Sequence, residues 1–452
     1  MSRRSSKIQA QTSRGSHPDS SLERRLIAEH WGVEGGVLCI EGCPLPDLMT
    51  QFGSPLYVYS AKTMRQQLKL LRDHIGHEFD VYFSVKANPN PAVLEVFCDE
   101  GSGLEIASAG EYIRAVRAGV STDRILFAGP GKTDEELCYV IERGVGEIHV
   151  ESFDEIARLD RISRRLKKEV AVSARVNPDI SVQGGAMRMG GGATPFGFDE
   201  SILDEAISQF GSARFLSLKG LHIFSGTQIL KVETLLDQWN YGVSLARRLL
   251  EGGVPIETLD LGGGLGIPYF RNDQPLDLRS LASGARVLLE RMREDPYLKS
   301  LKLVIEPGRF LAGPSGLFAT RVTTVKASRG ENFTVTDGGM HHHLAASGNL
   351  GQVIKRDYPV IVANRLNEVC DTEQKIVGPL CTPLDTYGRK TVLPSPQVGD
   401  MIAILQSGAY GLSSSPVGFL SHPMPAEVLV DGTDVRLIRP RGTFEQPISP
   451  LP

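Results

Sequence analysis

The sequence predicts an α/β plus all-β protein, a (β/α)8 barrel with a C-terminal antiparallel β-sandwich or β-barrel domain. Two observations carry this. From Asp80 to Gly308, apolar β-rich runs that stop at a polar or glycine residue alternate with helix-period segments, and eight such units are the number that closes a barrel. After Gly313 the helix-period segments nearly vanish, and short alternating runs such as FATRVTTVKA, DMIAILQSG, EVLV and DVRLIR take over.

Composition agrees with two domains. The chain has 452 residues, 41% apolar and 23% charged, too long for a single ordinary core. Lys plus Arg total 49 against 53 for Asp plus Glu, a formal charge of -4 without the basic excess that a nucleic-acid partner requires. No apolar run approaches the roughly 18 residues of a membrane span. The cysteines, at 39, 43, 98, 138, 370 and 381, show neither a disulfide density nor a Cys-x-x-Cys zinc pair, so a reducing cytoplasm is expected.

The opening MSRRSSKIQAQTSRGSHPDSS lacks the apolar core of a signal peptide and reads as a disordered tail over residues 1–24. Its Arg- and Ser-rich character also suits a transit peptide, the alternative. GGVLCIEG and SPLYVYS are strand-like, so residues 25–57 are expected to join the β domain. The barrel is expected over 58–313, its strands at VYFSVK, LEIAS, ILFAG, EIHVES, VAVSARVN, LKGLHIFSG, ETLDLGGG and KLVIEPG. An open doubly wound sheet is the alternative arrangement. The long gap after the fifth run holds QGGAMRMGGGATPFG, whose glycines suggest a mobile loop over the barrel mouth. The β domain is expected over 314–447.

Chemistry in such a barrel sits at the C-terminal strand ends. Lys86 ends the first run, where desolvation would lower its pKa and free the amine for a Schiff base; a surface lysine with a packed stem is the alternative. His222 closes the sixth run, with Ser225 just beyond, and a packed structural histidine is the alternative there. Gly262, Gly263 and Gly264 end the seventh, where backbone N–H groups can close around a phosphate, although tight turns also need glycine. Glu306 and Arg309 end the eighth, as site groups or as a salt bridge. An amine, a phosphate cradle, a carboxylate and an imidazole together are what a pyridoxal phosphate site needs.

These residues, with Tyr82 to Asn88, Gly378-Pro379-Leu380-Cys381 and Gly408-Ala409-Tyr410-Gly411, resemble the fold-type III pyridoxal-phosphate decarboxylases, the family of the ornithine and diaminopimelate enzymes. The resemblance runs from about Leu56 to Arg439. It implies a pyridoxal 5'-phosphate-binding barrel in a homodimer with shared active sites. Lys86 would bind the cofactor aldehyde and His222 would stack on its ring. Ser225 and the Gly262 to Gly264 amides would hold the phosphate, Glu306 the pyridine nitrogen, and Arg309 would lie near phosphate or substrate. The partner subunit would supply Tyr410 to the cofactor and Cys381 as the proton donor that replaces carbon dioxide through a quinonoid.

Basic-amino-acid decarboxylases of this family carry Glu or Asp directly after that cysteine, to meet a distal charge. Here the residue is Thr382, with Asp385 three positions on as the remaining carboxylate. Substrate contact is expected from Arg309, Thr382 and Asp385. GGMHHH, GPLCTPLD and GLSSSPVGFLSHPMPAEVL resemble the secondary-metabolism branch that includes a butirosin-pathway glutamyl-carrier-protein decarboxylase, siderophore-pathway decarboxylases and an exosortase-associated group. That branch makes an acyl-carrier protein a possible partner, and Arg158, Arg161, Arg164, Arg165, Lys167 and Lys168 are either its basic docking face or a solvated helix face. His341, His342 and His343 are not expected to bind metal, because sequence neighbours point in different directions. The competing functions are a free basic amino-acid decarboxylase, an amino-acid racemase, which would place Arg and not Glu306 at the pyridine nitrogen, and a non-catalytic cofactor-binding or regulatory homologue.

Overall fold

The computed structural model describes residues 21–179, 187–188, 192–224 and 226–450. Residues 1–20 of the tail expected over 1–24, Ser225, and residues 180–186 and 189–191, which include part of the glycine-rich loop, lie outside the described residues.

All eight expected runs are strands: Phe79–Ser84, Gly103–Ile106, Ile125–Phe127, Glu147–Val150, Val170–Asn177, Leu216–Ile223, Thr258–Asp260 and Lys302–Ile305. Each pairs in parallel with the next, and the eighth pairs with the first through Leu303 and Phe79, so the barrel is closed and the open-sheet alternative is excluded. The period of two decides what faces where. Val81 and Phe83, Leu104 and Ile106, Ile148 and Val150, Leu259, and Leu303 and Ile305 pack in the large core shared with the helices. The opposite phase points inward. Low in the barrel it supplies Tyr82, Leu126 and Val304, which form a small core of their own, and at the strand ends it supplies charged and polar side chains.

Capping keeps the strand-to-helix loops short. The helices Ala109–Arg117, Asp134–Arg143 and Phe153–Leu166 start after Ser108, Thr133 and Ser152, each of whose side chains accepts an N–H bond from the third helical residue. Strand ends are thereby held at the mouth.

The second domain is a nine-stranded sheet, most of whose pairings are antiparallel. Two are not. Glu331–Thr336 runs parallel to Thr372–Val377, and Leu56–Ser60 parallel to Ala426–Asp431. Both connections are long enough for a crossover, which antiparallel hairpins do not need. Leu56–Ser60 also pairs antiparallel with Gly316–Ser328. Its two faces serve two cores: Tyr57 and Tyr59 face the barrel, whereas Leu56 and Val58 face outward.

The N-terminal segment differs from the expectation. A helix, Leu22–His30, begins inside the residues assigned to the tail, capped by Ser21, with Leu22 and Leu26 buried. The strands Gly32–Glu34, Val37–Ile40 and Cys43–Pro44 pair only with one another. It is Leu56–Ser60 that enters the large sheet, while Leu38, Ile40, Leu45 and Met49 cover its outer face. Short polar-ended strands near a helix cap a sheet as readily as they extend it.

Candidate active site

A cavity of about 210 Å³ opens at the C-terminal end of the barrel, lined by Lys86, His222, Gly263, Gly264, Glu306, Arg309 and Tyr410 among others. The seven come from the first, sixth, seventh and eighth strand ends and from the β domain. Tyr410 arrives because the Gly408–Gly411 segment is docked on the mouth of its own barrel: the Tyr410 amide donates to the Ala87 carbonyl at 2.8 Å, and Asn88 Nδ2 to the Gly408 carbonyl at 3.1 Å. A Cβ on Gly408 would lie 1.8 Å from the Ala312 carbonyl oxygen, so only glycine permits this approach. The expectation that Tyr410 reaches a neighbour's cofactor is therefore corrected; it lines the cavity of its own chain, and sequence distance from Lys86 concealed the contact.

Lys86 lies in the turn Val85–Ala87, its Nζ 2.8 and 3.0 Å from the two carboxylate oxygens of Glu105. Ser84 Oγ donates to the same carboxylate at 2.5 Å. Burial acts to lower the Lys86 pKa as expected, but Glu105, with Tyr410 and Glu306 behind it, raises it further, and the net displacement is upward. The expected lowering does not hold for the cofactor-free chain: desolvation is the largest single effect, but Glu105, Tyr410 and Glu306 together outweigh it.

Glu306 is buried, with Oε2 3.3 Å from His222 Nε2. Burial holds the His222 pKa down to about 4, so the imidazole is neutral at pH 7, a flat uncharged face at the cavity wall. Burial opposes the charge on Glu306, yet His222, His149 and Lys86 keep it ionised. Arg309 Nη1 donates to Tyr269 Oη at 3.0 Å, and its guanidinium lies 4.5 Å from the centre of the Tyr410 ring.

The glycines pack as a cradle. A Cβ on Gly263 would fall 2.4 Å from the Glu306 carbonyl oxygen, and one on Gly264 2.9 Å from that of Gly226. Gly262 is a correction: its amide already donates to Asp260 Oδ1 at 2.8 Å, and it does not line the cavity, so its N–H is not available to a phosphate. Thr227 lines the cavity on the same side. Part of the glycine-rich loop reaches there too, since Met187 and Arg188 pair with Thr227 and Gly226.

Cys381, Thr382 and Asp385 do not line this cavity. Cys381 is exposed. Asp385 is buried and accepts N–H bonds from Met340 at 2.6 Å and Leu380 at 2.9 Å, so it ties the GGMHHH loop to the GPLC loop and is not free to meet a substrate, contrary to expectation. His341, His342 and His343 are fully buried; His343 Nε2 contacts Ser407 Oγ at 3.0 Å, and the His341 ring lies on those of His342 and His422.

The sequence reading missed Glu105, His149, Arg175 and Asp260. Arg175 lines the cavity 2.7 Å from Glu151, under the Phe196 ring. A signal was present. Each is a charged or polar residue in the inward phase of an apolar strand, within LEIAS, EIHVES, VAVSARVN and ETLDLGGG.

The cavity fits pyridoxal phosphate on the chain's own terms: an amine for the aldehyde, buried His222 nitrogens without hydrogen-bond partners among the described residues, and a glycine wall no side chain could replace. Comparison with known proteins agrees. Residues 61–313 match the family described as pyridoxal-dependent decarboxylase, pyridoxal binding domain. The chain is 36% identical over 402 residues to the L-glutamyl-[BtrI acyl-carrier protein] decarboxylase of Niallia circulans, covering 88% of this chain and 94% of that one. It is 32% identical to the diaminopimelate decarboxylase of Zymomonas mobilis, covering 92% and 96%. The crystal structure of diaminopimelate decarboxylase from M. jannaschii with L-lysine superposes with a TM-score of 0.85 at 26% identity, covering 92% and 96%. With barrel, cavity and motifs in agreement over nearly its whole length, the chain belongs to the pyridoxal-dependent decarboxylases, and its cofactor is pyridoxal phosphate.

Proposed function

We propose that this enzyme removes the α-carboxylate from an amino acid whose distal end is masked, by a carrier-protein thioester or by conjugation. One observation carries the reading. In GPLCTPLD the residue after the cysteine is Thr382, and the sole carboxylate of the segment, Asp385, is consumed by two backbone N–H groups. A distal ammonium buried there would have no counter-charge, which costs about 2 to 5 kcal/mol. A masked distal end loses nothing. The similarity to a decarboxylase of a carrier-bound glutamyl group supports the same reading.

The cofactor supplies an electron sink for the carbanion left by carbon dioxide. Lys86 would hold its aldehyde covalently, and the Glu105 carboxylate positions the Lys86 amine. His222, a neutral imidazole at the cavity wall, would cover one ring face. Glu306 would accept the hydrogen bond of the ring nitrogen and favour its protonated form, the opposite of what a racemase requires. The Gly263 and Gly264 wall, Arg309 and Tyr410 receive the phosphate end.

The proton that replaces carbon dioxide comes from Cys381 of a second subunit in a homodimer. Its exposure, and its absence from the cavity of its own chain, support that placement. The basic helix adds little to carrier docking. Arg158 and Arg161 are paired with Asp134, and Lys168 with the carbonyls of Ile141 and Glu142, all on the preceding helix, whereas Arg164 pairs with Asp160 on its own helix, so much of this charge is engaged within the fold.

Diaminopimelate decarboxylation is the second reading, favoured by relatives that match over 92% of the chain. Carbon dioxide release from free diaminopimelate against carrier-bound and conjugated amino acids separates the two.

A further inference from the structure

Beneath the cavity wall four polar side chains are packed in the barrel interior, His149, His222, Asp260 and Glu306, one ring nitrogen or carboxylate oxygen of each lying within 4.8 Å of the others. All four are buried. Asp260 ends the seventh strand and Glu306 follows the eighth, its parallel neighbour; the Glu306 amide donates to the Gly262 carbonyl at 2.8 Å, which fixes the two backbones side by side. Asp260 Oδ1 accepts the Gly262 N–H, and Glu306 Oε2 faces His222. The remaining oxygens, Asp260 Oδ2 and Glu306 Oε1, have no hydrogen-bond partner among the described residues. His149 supplies none, since its nitrogens stand 3.9 Å from each.

We propose that Asp260 carries a proton and, as a neutral carboxylic acid, donates it as a hydrogen bond to Glu306: Asp260 is a positioning residue that holds Glu306 as an oriented carboxylate. This rests on the reading that Glu306 faces the ring nitrogen of the cofactor. Two adjacent carboxylates shut away from water cannot both be charged, and one shared proton satisfies both orphaned oxygens at once. The groups that face the pair decide where it sits. His149 and Glu147 come from the fourth strand, Arg175 from the fifth, His222 from the sixth and Lys86 from the turn after the first. Glu306 has His222 and Lys86 on its side, whereas Asp260 has burial and the charge of Glu306 against its ionisation. Glu306 is thus left with one oxygen bonded to Asp260 and the other turned toward His222 and the cavity.

Infrared spectra of the holoenzyme at pH 7 test this without turnover. Wild type should show the C=O stretch of a protonated buried carboxyl, and the band should vanish in Asp260→Asn but persist in Asp385→Asn. Labelling aspartate with 13C in wild type should shift it, an assignment that needs no variant to fold. Asp260→Asn should keep the absorbance maximum of the bound cofactor, because a neutral donor replaces a neutral donor, whereas Glu306→Gln should move it. Absence of the band in wild type, its survival in Asp260→Asn, or no shift on aspartate labelling overturns the proposal, as does a cofactor spectrum displaced as far by Asp260→Asn as by Glu306→Gln. Loss of carbon dioxide release with these spectra intact would count against the proposed reaction and not against Asp260.

Discussion

Lys86 Nζ and the carboxylate of Glu105 stand 2.8 Å apart at the cavity floor, and this carboxylate, with Tyr410 and Glu306, overcomes desolvation and keeps the amine charged before the cofactor arrives. An ammonium cannot attack an aldehyde, so the amine must first lose the proton that the carboxylate stabilises. Removing the negative charge should leave more free amine at pH 7. Glu105→Gln apoenzyme is expected to capture pyridoxal phosphate roughly tenfold faster, a change of about one unit in the lysine pKa. Stopped-flow absorbance across pH 6 to 9 checks it. Borohydride reduction of wild type should then fix the cofactor on the Lys86 peptide, and Lys86→Ala should give no such adduct.

Mixed dimers discriminate between the two β-domain residues. Lys86→Ala and Cys381→Ala subunits, inactive alone, should restore up to about half the sites of each heterodimer, since one composite site receives both intact residues. Lys86→Ala mixed with Tyr410→Phe should restore none beyond the residual activity of the parents, because Tyr410 lines the cavity of its own chain and every site then lacks one group. Activity after verified subunit exchange is the readout.

Much of this was legible in the sequence. The eight apolar runs gave the barrel because inward and outward residues alternate with a period that a linear scan detects, and the glycines and terminal residues of the runs gave the cavity wall. What was lost depended on contacts between distant segments. Glu105 is silent in sequence until the closed barrel sets the second strand beside the first, placing it against Lys86. Asp385 reads as a free carboxylate until the GGMHHH loop folds over it. Gly408 gives no sign in the sequence that its lack of a side chain is what admits Tyr410 to the mouth.

Asp385 and Thr382 should therefore respond differently to substitution. Asp385→Asn leaves one of the two buried N–H donors, of Met340 and Leu380, facing an amide NH2 instead of an acceptor and should destabilise the protein by about 1 to 3 kcal/mol without new substrate preference. Thr382→Glu should shift preference toward free diamino acids while stability stays within about 0.5 kcal/mol. Denaturant unfolding and kcat/KM on free diaminopimelate measure the two effects.

Buried histidines make the fold acid-sensitive. Burial lowers the pKa to about 4 in His222 and to about 3 in His341 and His343, against 6.5 when unfolded. Between those values the unfolded chain binds more protons, so each contribution is complete above pH 6.5 and is lost as pH falls toward 4, by up to about 1.4 kcal/mol per pH unit per histidine. His341→Phe keeps the ring packing and removes one titrating site. Its unfolding midpoint in urea should fall less than that of wild type between pH 6.5 and 4.5.

Carbon dioxide release from purified holoenzyme, offered free diaminopimelate, ornithine, lysine and glutamate beside carrier-bound glutamate and amide-conjugated amino acids, tests the proposed function most directly. Release should be efficient only where the distal end is masked. Turnover of free diaminopimelate or ornithine with kcat/KM above about 10⁴ M⁻¹s⁻¹, within the range of efficient enzymes, would contradict it.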